Sequence, residues 1–223
     1  ADDPPSEGYH RKRSGALRIS SGLSDVDTLM FFGDIEEVSV EAPWGPYALP
    51  PPLAKSTQIA HRPGSSKICI GEQEAPELVC IDHDGDQTLI RWTVEPAPVL
   101  DSEIAAWREA VVEEYDLKLS RSQVLEMLDR VPIPESRPPY SRLFLDPGDF
   151  LWAERGPTPG KSGDSSDFMV FDSDGALLGT VSVPPVRVLD IGLDYVLGVH
   201  VDELGIQSVR AYELSRTSNG ASS

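Results

Sequence analysis

Two apolar segments joined by Asp-x-Asp-Gly occur twice in this chain, and that repetition narrows the architecture more than any other feature. Asp82-His83-Asp84-Gly85 follows Leu78-Val79-Cys80-Ile81 and precedes Thr88-Leu89-Ile90. Asp172-Ser173-Asp174-Gly175 follows Phe168-Met169-Val170-Phe171 and precedes Leu177-Leu178-Gly179-Thr180-Val181. Gly supplies the positive φ that a tight hairpin turn requires, so each stretch reads as two antiparallel strands around a turn. A second hairpin precedes each one: Ile59-Ala60-His61-Arg62-Pro63-Gly64 leads into Ile68-Cys69-Ile70, and Leu143-Phe144-Leu145-Asp146-Pro147-Gly148 into Phe150-Leu151-Trp152. The pairs make four-stranded units over residues 56–95 and 140–183, and a third unit is visible over 187–216. A four-stranded repeat of about 40 residues is the pattern of a propeller blade.

The region between the first two units follows a different period. Ile104, Trp107, Val111 and Tyr115 share one helix face, with Asp101 as a candidate cap. Val124, Leu128 and Val131 share another, opened by a capping box at Ser120 and Gln123 and closed by Pro132 and Pro134. This predicts a helical hairpin over residues 99–131, followed by an extended, proline-rich connector. Upstream, residues 16–20, 29–32 and 35–40 predict three further strands. The run from 42 to 52 is too rich in proline for a central strand. It reads either as a loop packed through Trp44 and Tyr47 or as a polyproline ligand for another domain.

Nineteen basic residues face 37 acidic ones, a formal charge of −18. That balance argues against a nucleic-acid partner, since phosphate binding needs a basic footprint, and against attraction to anionic lipid. It favours a basic protein partner. No apolar run approaches the roughly 20 residues of a membrane span. The chain opens Ala1-Asp2-Asp3-Pro4-Pro5 without Met, which fits a mature chain after leader removal or a trimmed fragment. Residues 1–14 and 217–223 read as flexible polar tails, the first carrying the only basic cluster, His10-Arg11-Lys12-Arg13. Cys69 and Cys80, 11 apart, fit no zinc or C-x-x-C redox pattern. If their strands pair they face one another as a candidate disulfide, as an oxidising compartment would favour; otherwise they are two buried thiols.

Asp149-Phe150-Leu151-Trp152, the stretch from Val170 to Gly175, the stretch from Ile191 to Val199, and Asp202-Glu203-Leu204-Gly205 together resemble the last blades of bacterial six-bladed β-propeller proteins. That group is related to NHL-repeat propellers and is often exported or lipid-anchored. The insert after Arg91-Trp92 is similar to that group as well, and the resemblance spans about residues 56–216. A closed six-bladed ring needs roughly 240–270 residues of blade alone. The expected fold is therefore mainly β: an incomplete β-propeller of three to four blades with an inserted helical hairpin, one domain over residues 15–216. Its open side would be capped by its own termini or by a partner, because bare strand edges invite pairing.

The chemical candidates are few. Asp82-x-Asp84-Gly85-Asp86 lacks the spacing of a calcium loop and reads as a turn. His10, His61, His83 and His200 include no pair at zinc-ligand spacing. Nucleophile-elbow, P-loop, dinucleotide and H-E-x-x-H patterns are missing from the sequence. The expectation is that no catalytic residue, cofactor or metal is involved. Candidate partner contacts are Trp107 on the helical insert, Trp44 and Tyr47 in the proline-rich loop, and Arg11, Lys12 and Arg13. The reading that follows is a non-catalytic interaction subunit, periplasmic and peripheral to the membrane. It would bind protein subunits of a larger membrane complex, of which photosynthetic and respiratory assemblies are examples. The alternatives are a metal-dependent propeller hydrolase or lyase, disfavoured by the single Asn219, and a ligand-sensing propeller domain.

Overall fold

The computed structural model describes residues 8–19, 26–42, 45–65, 67–115, 120–155 and 166–216. The chain is mainly β and forms two compact units, one of residues 1–57, 72–75 and 94–139, the other of 58–71, 76–93 and 140–223. The sequence reading placed both inside one domain.

The first unit carries a three-stranded antiparallel sheet in the order β1 (Gly8–Ile19), β2 (Val26–Ala42), β3 (Gly45–Leu49). This corrects the expectations for the N-terminal region. Residues 8–14 are not a tail but the start of β1, and the two strands expected over 29–32 and 35–40 are one continuous β2. Non-local charge pairing explains both: His10 and Lys12 reach Glu37, and Arg11 reaches Glu74, partners that a local pattern does not reveal. The remainder of the tails, residues 1–7 and 217–223, lies outside the described residues. Pro46 sits on β3 at the sheet edge, where its missing N–H leaves no gap in the ladder.

The same unit contains α1 (Asp101–Tyr115) and α2 (Arg121–Leu128). Ser120 and Gln123 form the expected reciprocal capping box. Asp101 does not cap α1 but is its first helical residue; Glu103 instead accepts the Leu100 N–H and pairs with Arg137. The helices do not stand off the sheet. Val124, Met127 and Leu128 of α2, with Val131, share a core with Val38, Val40 and Ala42 of β2 and with Leu49 and Val112.

The second unit is three antiparallel meanders. The first runs β4 (Gln58–His61), β5 (Lys67–Gly71), β6 (Glu77–Asp82), β7 (Gln87–Arg91). The second runs β8 (Arg142–Leu145), β9 (Leu151–Glu154), β10 (Ser166–Phe171), β11 (Leu177–Val183). The third has three strands, β12 (Arg187–Ile191), β13 (Tyr195–Val201) and β14 (Gln207–Glu213). Two cores separate them. Ala60, Cys69, Leu78, Cys80 and Ile90 of the first sheet pack with Leu143, Leu145, Leu151, Met169 and Phe171 of the second. Trp152, Phe168 and Val170 of the second pack with Val188, Ile191 and Val196 of the third. The first strands lie side by side, β8 next to both β4 and β12.

Candidate functional site

Four hairpin turns of the second unit share one hydrogen-bond plan. In the turn at Asp82, Oδ1 accepts the N–H of Asp84 and Asp86, while Gly85 N–H returns to the Asp82 carbonyl. Asp172 does the same for Asp174, Ala176 and Gly175, and Asp202 for Leu204, Ile206 and Gly205. Asp146 repeats the plan with Gly148 and Phe150, and Asp149 occupies the left-handed position at φ 59°. The aspartate side chain thus replaces the partners that a hairpin tip denies its backbone amides.

Asp146 differs in its surroundings. Its side chain is fully buried, and its second oxygen takes the Trp152 indole N–H at 2.9 Å and Arg216 at 2.6 Å. Arg216 also donates to the carbonyls of Gly192 and Leu193, so the carboxylate ties the second meander to the end of the third.

Among the described residues, metal-type ligands gather within reach of one another only at Asp82, His83 and Asp84. His83 and Asp84 are exposed, and Asp82 Oδ1 is already committed to two backbone amides. The geometry is that of the turn expected from the sequence.

An open groove of about 390 Å³ runs over the first strands of the meanders, lined by Ile59, His61, Arg62, Phe144, Leu189 and Asp190 among others. Arg62 donates to Asp190 at 2.7 Å, and the Tyr195 hydroxyl donates to the same carboxylate at 2.9 Å. Burial pushes the Asp190 carboxyl up, but the hydrogen bonds from Arg62 and Tyr195 and the attraction of Arg62 outweigh it. The group is held below the ordinary carboxylate range. Beside it Arg142 is clamped by both oxygens of Glu154, at 2.6 and 3.0 Å.

The residues singled out as partner contacts fall in different places. Trp107 packs on the core of the first unit, with its indole N–H donated to the Pro50 carbonyl at 3.3 Å. Tyr47 packs on the same core, and Trp44 lies outside the described residues. Arg11 is consumed internally: its guanidinium binds the carbonyls of Asp34, Gly33 and Glu72 and the Glu74 carboxylate. Arg13 stacks over Phe31 at 4.2 Å. Lys12 stands apart with a side chain 75% exposed, 3.5 Å from Glu37. Arg11, Tyr47 and Trp107 therefore serve the fold of their own unit. Cys69 and Cys80 are directly opposed across β5 and β6 and joined as a disulfide.

The residues that sequence reasoning passed over lie on the last hairpin. Leu204 is 84% exposed, Val209 65%, Ile206 60% and Val201 53%. In register across β13 and β14, Leu197 opposes Ala211 and Val199 opposes Val209, so one face of this strand pair carries a short apolar strip, bounded by Glu213 at one end and Gln207 at the other and flanked on β12 by Arg187 and Asp190. The opposite face carries Val196 and Tyr212 into the core. The alternation is plain in the sequence, but it does not say which face is covered. No helix among the described residues is long and apolar enough to cross a membrane. The chain matches no family model, no curated protein and no solved structure.

Proposed function

We propose that this chain is a non-catalytic interaction subunit, built on an incomplete β-propeller and working outside the cytoplasm as part of a larger assembly. One observation carries the reading: the third meander buries one face against its neighbour and leaves on the other a short apolar strip of Leu197, Val199, Val209 and Ala211, continued by exposed Val201. An apolar strip of this kind on a chain of −18 charge marks a surface that another protein covers. The side-by-side first strands and the face-to-face packing of the meanders support the propeller reading. The Cys69–Cys80 disulfide supports an oxidising compartment. Cross-linking in the native extract followed by mass spectrometry tests the proposal. A reproducible neighbour is expected, and a membrane protein among the neighbours would place the subunit at the membrane. Elution as a lone compact monomer without cross-links overturns it.

A ligand-sensing domain is favoured by the groove over β4, β8 and β12, where apolar Ile59, Phe144 and Leu189 adjoin the Arg62–Asp190 pair. Native mass spectrometry separates the two, since a stoichiometric small molecule on the purified chain supports sensing.

A further inference from the structure

The first two meanders each end in a fourth strand, β7 on β6 and β11 on β10, both antiparallel. Among the described residues the third meander stops at β14, so one edge of that strand carries no ladder. Sheet edges elsewhere in the molecule are protected by familiar devices. β3 carries Pro46, β1 has two register shifts and a basic run, β11 pairs through a register shift, and β7 is only five residues long. β14 has none of these. It is seven residues long, pairs with β13 in unbroken register, and contains no Pro, Gly or Lys. Six of its seven residues are exposed, with Tyr212 turned to the core. Asp202 and Glu203 precede the strand and Glu213 ends it, against one cation within it, Arg210.

We infer that the free edge of β14 is a strand-addition site for an extended segment of a basic protein partner, which docks antiparallel as the fourth strand of the third meander. Main-chain hydrogen bonds to β14 would supply the affinity, as in other edge-adding complexes. Alternate apolar residues, all on one side of the added strand, would extend the face carried by Val209 and Ala211. Cations between or beside them would meet the acidic flanks. A second copy of this chain is a poorer occupant, because two chains of −18 repel. The inference rests on the interaction reading above and names its docking site.

The test uses the whole chain and a short synthetic peptide alternating valine and lysine, followed by fluorescence anisotropy and by hydrogen exchange. Saturable binding with new protection of residues 207–213 is expected. The same peptide N-methylated on the amides that face β14 keeps its side chains and loses its ladder, and should bind about tenfold more weakly or less. Val209→Lys, at an exposed position that leaves the core untouched, should weaken binding of the unmodified peptide comparably. Four results overturn the inference: no binding, equal binding of the N-methylated peptide, equal binding of a valine–glutamate peptide, or protection confined to another surface. Concentration-dependent self-association that protects β14 also overturns it, in favour of a second copy. If the peptide fails while native cross-links to a neighbour persist, the docking edge is wrong and the interaction reading stands. If both fail, both fall.

Discussion

The turns at Asp146 and Asp172 close neighbouring hairpins of one sheet with the same backbone plan, yet they sit in opposite environments. Asp172 lies at a partly exposed tip and uses one oxygen on two amides. Asp146 is fully buried and uses both oxygens, the second on Trp152 and Arg216. A single local device thus does two jobs. At the rim it only turns the chain, whereas inside it also fastens residues 70 positions apart. The contrast teaches that the motif itself carries little specificity, and that the partner of the spare oxygen decides what the turn is worth.

The largest expected effect comes from breaking the buried member. Asp146→Ala strands the Trp152 indole and the Arg216 guanidinium, and should cost about 3 kcal/mol in urea unfolding. Gly175→Ala comes next. Its φ of 86° disfavours any side chain, and the new Cβ would stand 2.8 Å from Ile90, so about 2 kcal/mol is expected. Gly205→Ala isolates the backbone part of that cost, because its φ is 79° and open space surrounds the position; about 1 kcal/mol is expected. Equal losses for the two glycine variants would show that the Ile90 contact relaxes freely. Asp172→Ala removes two amide partners that water can replace, and should cost about 1 kcal/mol or less.

The smallest effect concerns pH and a second arginine-bound carboxylate. Asp190 is held below its ordinary range by Arg62 and Tyr195, so its contribution is fully present above the unfolded value of about 4. It is lost as pH falls through the lower folded value. Arg62→Gln should shrink this acid-side loss while leaving stability near neutral pH less changed, as read from urea midpoints across an acid series. An unchanged acid limb would mean that Tyr195 alone holds the carboxylate.

The four-stranded boundaries of the second unit were legible because Asp-x-Asp-Gly and Asp-Pro-Gly punctuate strands of clean apolar character. The α2 cap, its buried Val124 and Leu128, and Val131 just beyond it were legible for the same reason, since local signals agreed with tertiary demand. The long β1–β2 hairpin was not. Gly33-Asp34 interrupts the apolar run of β2, and the basic run of β1 looks like a solvated tail until Glu37, Glu72 and Glu74 are brought to it. Trp107 was misplaced by the opposite error. Its position on an insert suggested a free face, but the sheet that covers that face lies more than fifty residues upstream. The edge of β14, which pairs with no further strand among the described residues, could not be read at all, because a strand's own residues do not say what lies along its edges.

Strand order has a kinetic consequence. In all four sheets each strand pairs only with its neighbour in sequence, so the ladders join stretches close along the chain and cost little chain entropy to nucleate. The sheets can therefore assemble in parallel, each from its own stretch of chain. The Asp146–Arg216 link spans 70 positions and can close only after the second and third meanders have met. Its removal should speed unfolding far more than it slows refolding, which gives the buried turn the character of a latch fastened late.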